Sequence, residues 1–315
     1  MSLNRVIQCD LFTKLCPLFN LLLFLFFKLQ KKMHYVWTIL IILFIIFLIQ
    51  PLFAKKLLQS ARINQLNQIE KERNSRVVTL IHRQESMSLM GFPMVQFINM
   101  EDSEKILNFI ETTDPETDID LVLHTPGGLV LAAVQIARAI RYRKGNGKTR
   151  VVIPHYAMSG GTLIALAADE IVMSPNAVLG PVDPQLGAYP APSLLKIIKQ
   201  KDINEISDEM LINIDIAEKA INQVRSCIKE LLVNNHSEEK AEELSILLTE
   251  GRWTHDFPIT CAYAKELGLP VNAQIPNSFM NLMLLYSQPI NHQSTVQYLG
   301  RRSLPVADSI KINHR

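Results

Sequence analysis

Two strand-to-turn-to-helix transitions, about thirty residues apart, constrain the fold of this chain more than any other feature. The first is Leu121-Val-Leu-His-Thr-Pro-Gly-Gly-Leu-Val, an apolar run that ends in a paired glycine. The second is Pro154-His-Tyr-Ala-Met-Ser-Gly-Gly-Thr-Leu-Ile-Ala-Leu-Ala-Ala-Asp-Glu-Ile, which sets Ser159 between a β-type run and a small-residue helix. A short apolar run without polar alternation suits a strand buried on both faces, the kind found in parallel sheets covered by crossover helices.

The flanking segments continue the pattern. Arg76-Val-Val-Thr-Leu-Ile-His is rich in β-branched residues and reads as a first strand. Ser103 to Thr112 reads as a helix capped by Asp102 or Ser103, with Ile106, Leu107 and Ile110 on one face. Asp118 to His124 is the next strand, and Leu129 to Arg143 a helix with Ala132, Ala133, Ile136, Ala137 and Ile140 inward. Val151-Val-Ile-Pro, a helix from Gly161 to Ala168, and Glu170-Ile-Val-Met follow. The expected class is therefore α/β, with βαβ crossovers and a mostly parallel sheet. Ser174 to Pro192 holds five of the sixteen prolines and is expected to be an ordered loop or a short edge segment. Ser207-Asp-Glu opens a long helix reaching about Val233, with Ser207 as cap and acids in the first turn. Ser237 to Thr249 and Pro258 to Leu267 read as further helices.

A content of 20% charged and 48% apolar residues fits a globular protein with an added greasy segment. The net charge of +2, with lysines and arginines spread along the chain, argues against a nucleic-acid partner. Cys9, Cys16, Cys227 and Cys261 have neither metal-ligand spacing nor a disulfide framework, so no metal site is expected.

The greasy segment is residues 35–54, bounded by Tyr35 and Trp37 on one side and Lys55-Lys56 on the other, and is long enough to cross a membrane once as a helix. A cleaved signal peptide is the rival reading, but Ala54-Lys-Lys is a poor cleavage site. Lys55, Lys56, Arg62, Lys71, Arg73 and Arg76 outnumber Lys28, Lys31 and Lys32, which places the downstream part in the cytoplasm. Met33 is a candidate natural start, which makes residues 1–34 an upstream extension. The expected organisation continues with a juxtamembrane helix or linker over 55–75, a catalytic domain over 76–287 and a loose tail over 288–315.

The chemistry centres on Ser159. Gly160-Gly161 and the small residues Thr162, Ala165, Ala167 and Ala168 allow the following helix to pack closely and aim its first amides at the serine. Two readings of the serine are open, a nucleophile or a plain helix N-cap. Pro126-Gly-Gly likewise is either a tight turn or a donor of backbone N–H groups to an acyl oxygen.

Four blocks then resemble a known family: His124-Thr-Pro-Gly-Gly-Leu-Val-Leu-Ala-Ala, the Pro154 to Met173 run, Leu179-Gly-Pro-Val-Asp-Pro-Gln-Leu-Gly, and Glu250-Gly-Arg-Trp-Thr-His-Asp. The family is that of the membrane-anchored serine dehydrogenase proteinases, within the group that includes the Clp protease proteolytic subunit and signal peptide peptidase A. The resemblance covers approximately Val36 to Pro289. It implies the Clp/crotonase-like superhelix of βαβ units, a nucleophile at Ser159, oxyanion donors at Gly128 and Gly160, and a peptide or protein substrate. A homo-oligomer is expected, and no cofactor, since no convincing Gly-x-Gly-x-x-Gly turn is visible.

The proton acceptor is less defined. In the Clp subunit a histidine follows the nucleophile by about two dozen positions, but here that neighbourhood reads Gly180-Pro-Val-Asp-Pro-Gln. Signal peptide peptidase A uses a lysine, and Lys196, Lys199, Lys201 and Lys219 lie downstream. Lys219 has the best local argument, since it shares one side of its helix with Ile212, Ile216 and Gln223, opposite the stripe of Leu211, Ile214, Ile221, Val224 and Ile228. Isoleucine neighbours would strip water from the amine and free it to take a proton. The competing reading pairs Lys219 with Asp215 on an exposed face. His255-Asp256 is a second candidate base, although His255 also reads as a hydrogen-bonded residue beside a packed Trp253, and His155 as local structure. The expected function is a membrane-anchored serine endopeptidase with a Ser159–Lys219 dyad. A non-catalytic scaffold and an acyl-CoA enzyme of crotonase type are the alternatives.

Overall fold

The computed structural model describes residues 55–83, 96–233 and 235–286, with scattered positions between 38 and 53. The chain divides into two units, residues 1–64 and 65–315. In the first, the described positions are helical and leave Leu40, Ile41, Phe44 and Phe47 exposed. Among the described residues no helix is long and apolar enough to cross a membrane. Several positions of the expected span at 35–54 lie outside the described residues, as do the extension at 1–34 and the tail at 288–315.

The second unit is built on a five-stranded sheet whose strands β1 (Ser75–Ile81), β2 (Asp118–His124), β3 (Thr149–Ile153), β5 (Glu170–Met173) and β10 (Val271–Asn272) are all parallel neighbours in the order β1-β2-β3-β5-β10. Strand β2 is buried along nearly its whole length, as its unbroken apolar run requires. Its side chains alternate between two cores, because successive residues of a strand point to opposite faces. Ile119, Leu121 and Leu123 enter the larger core. Val122 joins Val77, Val152, Val172, Ile69 and Phe279 in the smaller one. The small core is closed by α1 (residues 65–73) and α9 (Asn277–Leu284).

The larger core is roofed by α2 (Met100–Thr112), α3 (Val130–Arg141), α4 (Gly160–Leu166), α6 (Asp208–Leu232) and α7 (Glu238–Thr249). On α3 the five expected inward residues, Ala132, Ala133, Ile136, Ala137 and Ile140, are the buried ones. Helix α2 starts three residues before the expected point, because Asn99 forms a capping box with Asp102: Asn99 Oδ1 accepts from the Asp102 amide at 3.1 Å and Asp102 Oδ2 from the Asn99 amide at 3.0 Å. Helix α6 is capped by Ser207, as expected, and buries Ile214, Ile221, Val224 and Ile228. Its first half packs on α5 (Ala191–Gln200) through Leu194, Ala217 and Ile221.

The proline-rich segment from Ser174 to Pro192 forms short strands, one of the two forms expected of it. It contains β6 (Val178–Leu179) and the hairpin β7 (Gln185–Leu186) to β8 (Tyr189–Pro190). Strand β6 joins β4 (Tyr156–Ala157) and β9 (Ile259–Thr260) in a second small sheet. Part of the helix expected over 258–267 is therefore β9, and the helix itself, α8, is Cys261–Glu266.

Toward the amino ends of β1, β2 and β3 sits a buried ionic cluster. Asp120, fully buried, accepts from Arg73 Nε at 2.7 Å, Arg150 Nε at 2.7 Å and the Ser75 hydroxyl at 2.6 Å. Burial pushes its carboxyl up, but the hydrogen bonds from Arg73, Arg150 and Ser75 outweigh burial and hold it below the ordinary carboxylate range. This cluster ties three strands at one end of the sheet and leaves the carboxyl ends, where ligands bind in open parallel sheets, for other work.

Candidate active site

At the carboxyl end of β2 the chain turns sharply through Thr125 to Gly128. At the carboxyl end of β3 it passes through β4 into Ser159 and α4. Backbone bonds fasten these two turns together: the Met158 amide donates to Thr125 O at 3.0 Å and the Thr125 amide to Tyr156 O at 3.2 Å. Gly127, at φ 109°, has no room for a side chain, since a Cβ there would stand 2.9 Å from the Ser159 Cβ. Gly128 is clamped by Ile98, which donates to Gly127 O at 2.8 Å and accepts from the Leu129 amide at 2.9 Å. A Cβ on Gly128 would run into the Ile98 backbone. Glycine is thus demanded twice by packing.

Ser159 has φ 50° and ψ −115°, a conformation that costs a non-glycine residue about 1–3 kcal/mol. It precedes α4, but its side chain makes no cap bond, so the N-cap reading fails on geometry. Its carbonyl accepts the first helical bond, from Leu163 N at 3.1 Å, and the residue is half-buried. Such a strained serine between strand and helix is the arrangement that lifts a nucleophile clear of its own backbone. Among the described residues neither the Gly128 nor the Gly160 amide donates a hydrogen bond.

Ser159, Gly128 and Gly160 line one cleft of about 170 Å³, together with Val182, Asp183, Gln185, Val224 and His255. The far wall comes from distant sequence. Asp183 lies in a turn held by three contacts: the Thr162 hydroxyl donates to Gly180 O at 2.8 Å, Val182 N to Leu248 O at 2.9 Å, and Ala191 N to Pro184 O at 2.9 Å. The Asp183 side chain is 1% exposed. Its carboxylate accepts from His255 Nδ1 at 2.8 Å and from Gln185 Nε2 at 2.7 Å. His255 belongs to a loop stiffened by Trp253, whose ring stacks on Phe257 with centroids 4.9 Å apart.

Lys219 stands elsewhere. It is on the exposed side of α6, two-thirds exposed itself, and bonded to Asp215 at 2.5 Å. Ile212 and Ile216, expected to dry its surroundings, are exposed as well, because α6 turns its other face to the core. Lys196, Lys199 and Lys201 are exposed on or just after α5, and Asp256 is exposed. None of these residues lines the cleft at Ser159.

A second polar group lies beneath the first turn. His124, 1% exposed, packs its ring 4.2 Å from Tyr156 and 5.5 Å from His155. Burial, then the charges of Arg83, His155 and His82, push its imidazole down to about 3, so it is neutral. His82 reaches Thr125 Oγ1 at 3.0 Å and Asp102 at 3.2 Å, bracing the glycine turn. His155 therefore packs against a ring rather than capping an element. Asp183 and Gln185 were not among the residues singled out by sequence. The signal for Asp183 was its place in Gly180-Pro-Val-Asp-Pro-Gln, two prolines fixing an acidic residue. Among the described residues no group of three or more His, Cys, Asp or Glu side chains could hold a metal ion.

Comparison with known proteins agrees with a ClpP-like α/β fold. Residues 27–309 match a family described as ClpP-like SDH-type serine proteinase. An uncharacterized protein of Methanocaldococcus jannaschii is 54% identical over 258 residues, covering 82% of this chain and 90% of that protein. A second uncharacterized protein of the same organism is 50% identical over 238 residues, covering 76% of this chain and 80% of its own length. Among solved structures, the membrane-bound stomatin-specific protease 1510-N, a mutant in complex with a substrate peptide, matches with 23% identity and a TM-score of 0.39, over 59% of this chain and 74% of its own.

Proposed function

The chain belongs to the family of ClpP-like SDH-type serine proteinases, and from that premise we propose that it is a membrane-tethered serine endopeptidase acting through an acyl-enzyme on Ser159. The observation that carries the proposal is Ser159 itself, held at φ 50° without a cap bond and lining one cleft with Gly128 and Gly160, whose amides donate to no group among the described residues. In that arrangement the serine oxygen attacks a peptide carbonyl carbon. The two N–H groups take up the negative charge that develops on the carbonyl oxygen, and loss of one such donor costs about 3 kcal/mol of activation energy in other serine enzymes. The family itself implies a peptide or protein substrate.

The tether is proposed on residues 35–54, whose length suits one crossing, with the basic residues from Lys55 to Arg76 keeping the peptidase unit on the cytoplasmic side. Alkaline extraction of membranes tests it, and release of the full chain into the soluble fraction would refute it. Assembly into a homo-oligomer is part of the same reading and is checked by light scattering of the detergent-solubilised chain. A lysine acceptor at Lys219 would have to leave Asp215 and reach a cleft that it does not line, so the geometry gives that dyad no support.

A fluorophosphonate probe tests the nucleophile. Labelling of wild type but not of Ser159→Ala supports the peptidase. Absence of labelling in both favours a non-catalytic scaffold, and thioester binding indifferent to the Ser159 hydroxyl favours a crotonase-type enzyme.

A further inference from the structure

We infer that His255 is the proton acceptor for Ser159 and that Asp183 is its positioning residue, so that nucleophile, acid and base occur along the chain in the order Ser159, Asp183, His255. The inference rests on the peptidase reading of Ser159 and supplies the base which that reading lacks. Both His255 and Ser159 line the same 170 Å³ cleft, and of the described side chains lining it only those of Asp183 and His255 can take a proton from an alcohol. Asp183 is buried and committed through both carboxylate oxygens, to His255 Nδ1 at 2.8 Å and Gln185 Nε2 at 2.7 Å. His255 is one-third exposed and so open to substrate.

The Asp183 bond also selects the tautomer. A carboxylate only accepts hydrogen bonds, and its 2.8 Å contact is shorter than the 3.2 Å approach of Gln185 Nε2, which is committed to Asp183 at 2.7 Å, so the shared hydrogen belongs to His255 Nδ1 and Nε2 keeps the lone pair a general base requires. A merely structural histidine would not need its partner to be a buried carboxylate held from a second side by an amide. Triads are defined by these roles and contacts rather than by order along the chain.

The Ser159 Oγ–H proton passes to His255 Nε2 as Oγ bonds to the scissile carbonyl carbon, and the resulting oxyanion is held by the Gly128 and Gly160 amides. The imidazolium is held by Asp183 and returns its proton to the leaving amine as the C–N bond breaks, leaving an ester on Ser159. Water then gives a proton to Nε2 and its oxygen bonds to the acyl carbon. The ester C–O bond breaks, and Oγ recovers the proton from Nε2 as the carboxylic acid product leaves.

The experiment uses the full chain with the fluorophosphonate probe. His255→Ala should label more slowly than wild type by roughly 10²- to 10⁴-fold, the usual worth of a general base. Added imidazole should restore part of that rate, which a purely structural role would not allow. Asp183→Asn should lose a comparable factor, and nitrogen-15 NMR of the ring should show the His255 hydrogen moving from Nδ1 in wild type toward Nε2 in the variant. Circular dichroism on each variant separates misfolding from lost chemistry, and the ring tautomer in the unaltered chain is a second measurement independent of folding of the variants. Wild-type labelling in His255→Ala, or a wild-type ring protonated only on Nε2, overturns the inference while leaving the peptidase reading intact. A wild type that takes no label, or Ser159→Ala labelling as wild type does, overturns both.

Discussion

Gly127 and Ser159 meet so closely that a Cβ added to Gly127 would stand 2.9 Å from the Cβ of the serine, while Gly127 itself sits at φ 109°. Gly127→Ala therefore combines backbone strain with a clash against the residue proposed as nucleophile. It should lower stability by about 1–3 kcal/mol, measured by urea denaturation, and should depress probe labelling even at temperatures where the protein stays folded. Retained labelling at the wild-type rate would mean that the contact is not needed to hold the serine in place.

The strain at Ser159 gives a second test. Glycine adopts φ 50°, ψ −115° without the penalty a Cβ imposes, so Ser159→Gly should be more stable than Ser159→Ala by about 1 kcal/mol, though neither should label. Equal melting temperatures for the two variants would remove the claim that the backbone is strained there.

Lys219→Ala should leave the labelling rate and the denaturation midpoint where they are, because the amine is two-thirds exposed and its partner is Asp215 on the next turn. A large loss of labelling would return the base to α6.

Acid should destabilise the fold in two windows. His124 has its folded value pushed from 6.5 to about 3, so between those values the unfolded chain binds a proton that the folded chain refuses. Stability therefore falls as pH drops from about 6.5 toward 3, by up to a few kcal/mol, and His124→Phe should flatten that slope in urea titrations at successive pH values. His82, also lowered, acts in the same direction.

Asp120 works lower on the scale. Its folded value lies beneath the ordinary 3.8, so its contribution is fully present above the unfolded value and is lost as pH falls through the folded one. Asp120→Asn should remove that lowest-pH loss and, at neutral pH, cost about 3–5 kcal/mol by leaving Arg73 and Arg150 with a buried partner that carries no charge. A neutral-pH stability close to wild type would show that the cluster contributes little net energy.

Much of the architecture was legible in the sequence because it is encoded locally. The apolar run of β2 specified burial on both faces, and the inward residues of α3 followed from helical periodicity alone. The misses also have local causes. Asn99 captured the start of α2 because its side chain and that of Asp102 satisfy each other's amides, an arrangement that residues 102 and 103 could not form between themselves. The stretch expected as a helix from Pro258 begins as β9 because its backbone groups find a partner in β6, which its own composition does not announce.

For the site the division is sharper. A serine and a glycine pair at two strand ends of a parallel sheet can be read from the residues alone, since strand pattern, turn residues and small-residue helix are all short-range features. So can the buried stripe of α6, and with it the competing reading of Lys219 as the exposed partner of Asp215. What faces the serine emerges from the packing of distant segments. Asp183 and His255 are 72 residues apart and meet because the turn after β6 and the Trp253 loop both close over the carboxyl ends of the sheet. No periodicity or spacing rule records such a contact, because it follows from where packed elements leave their connecting loops.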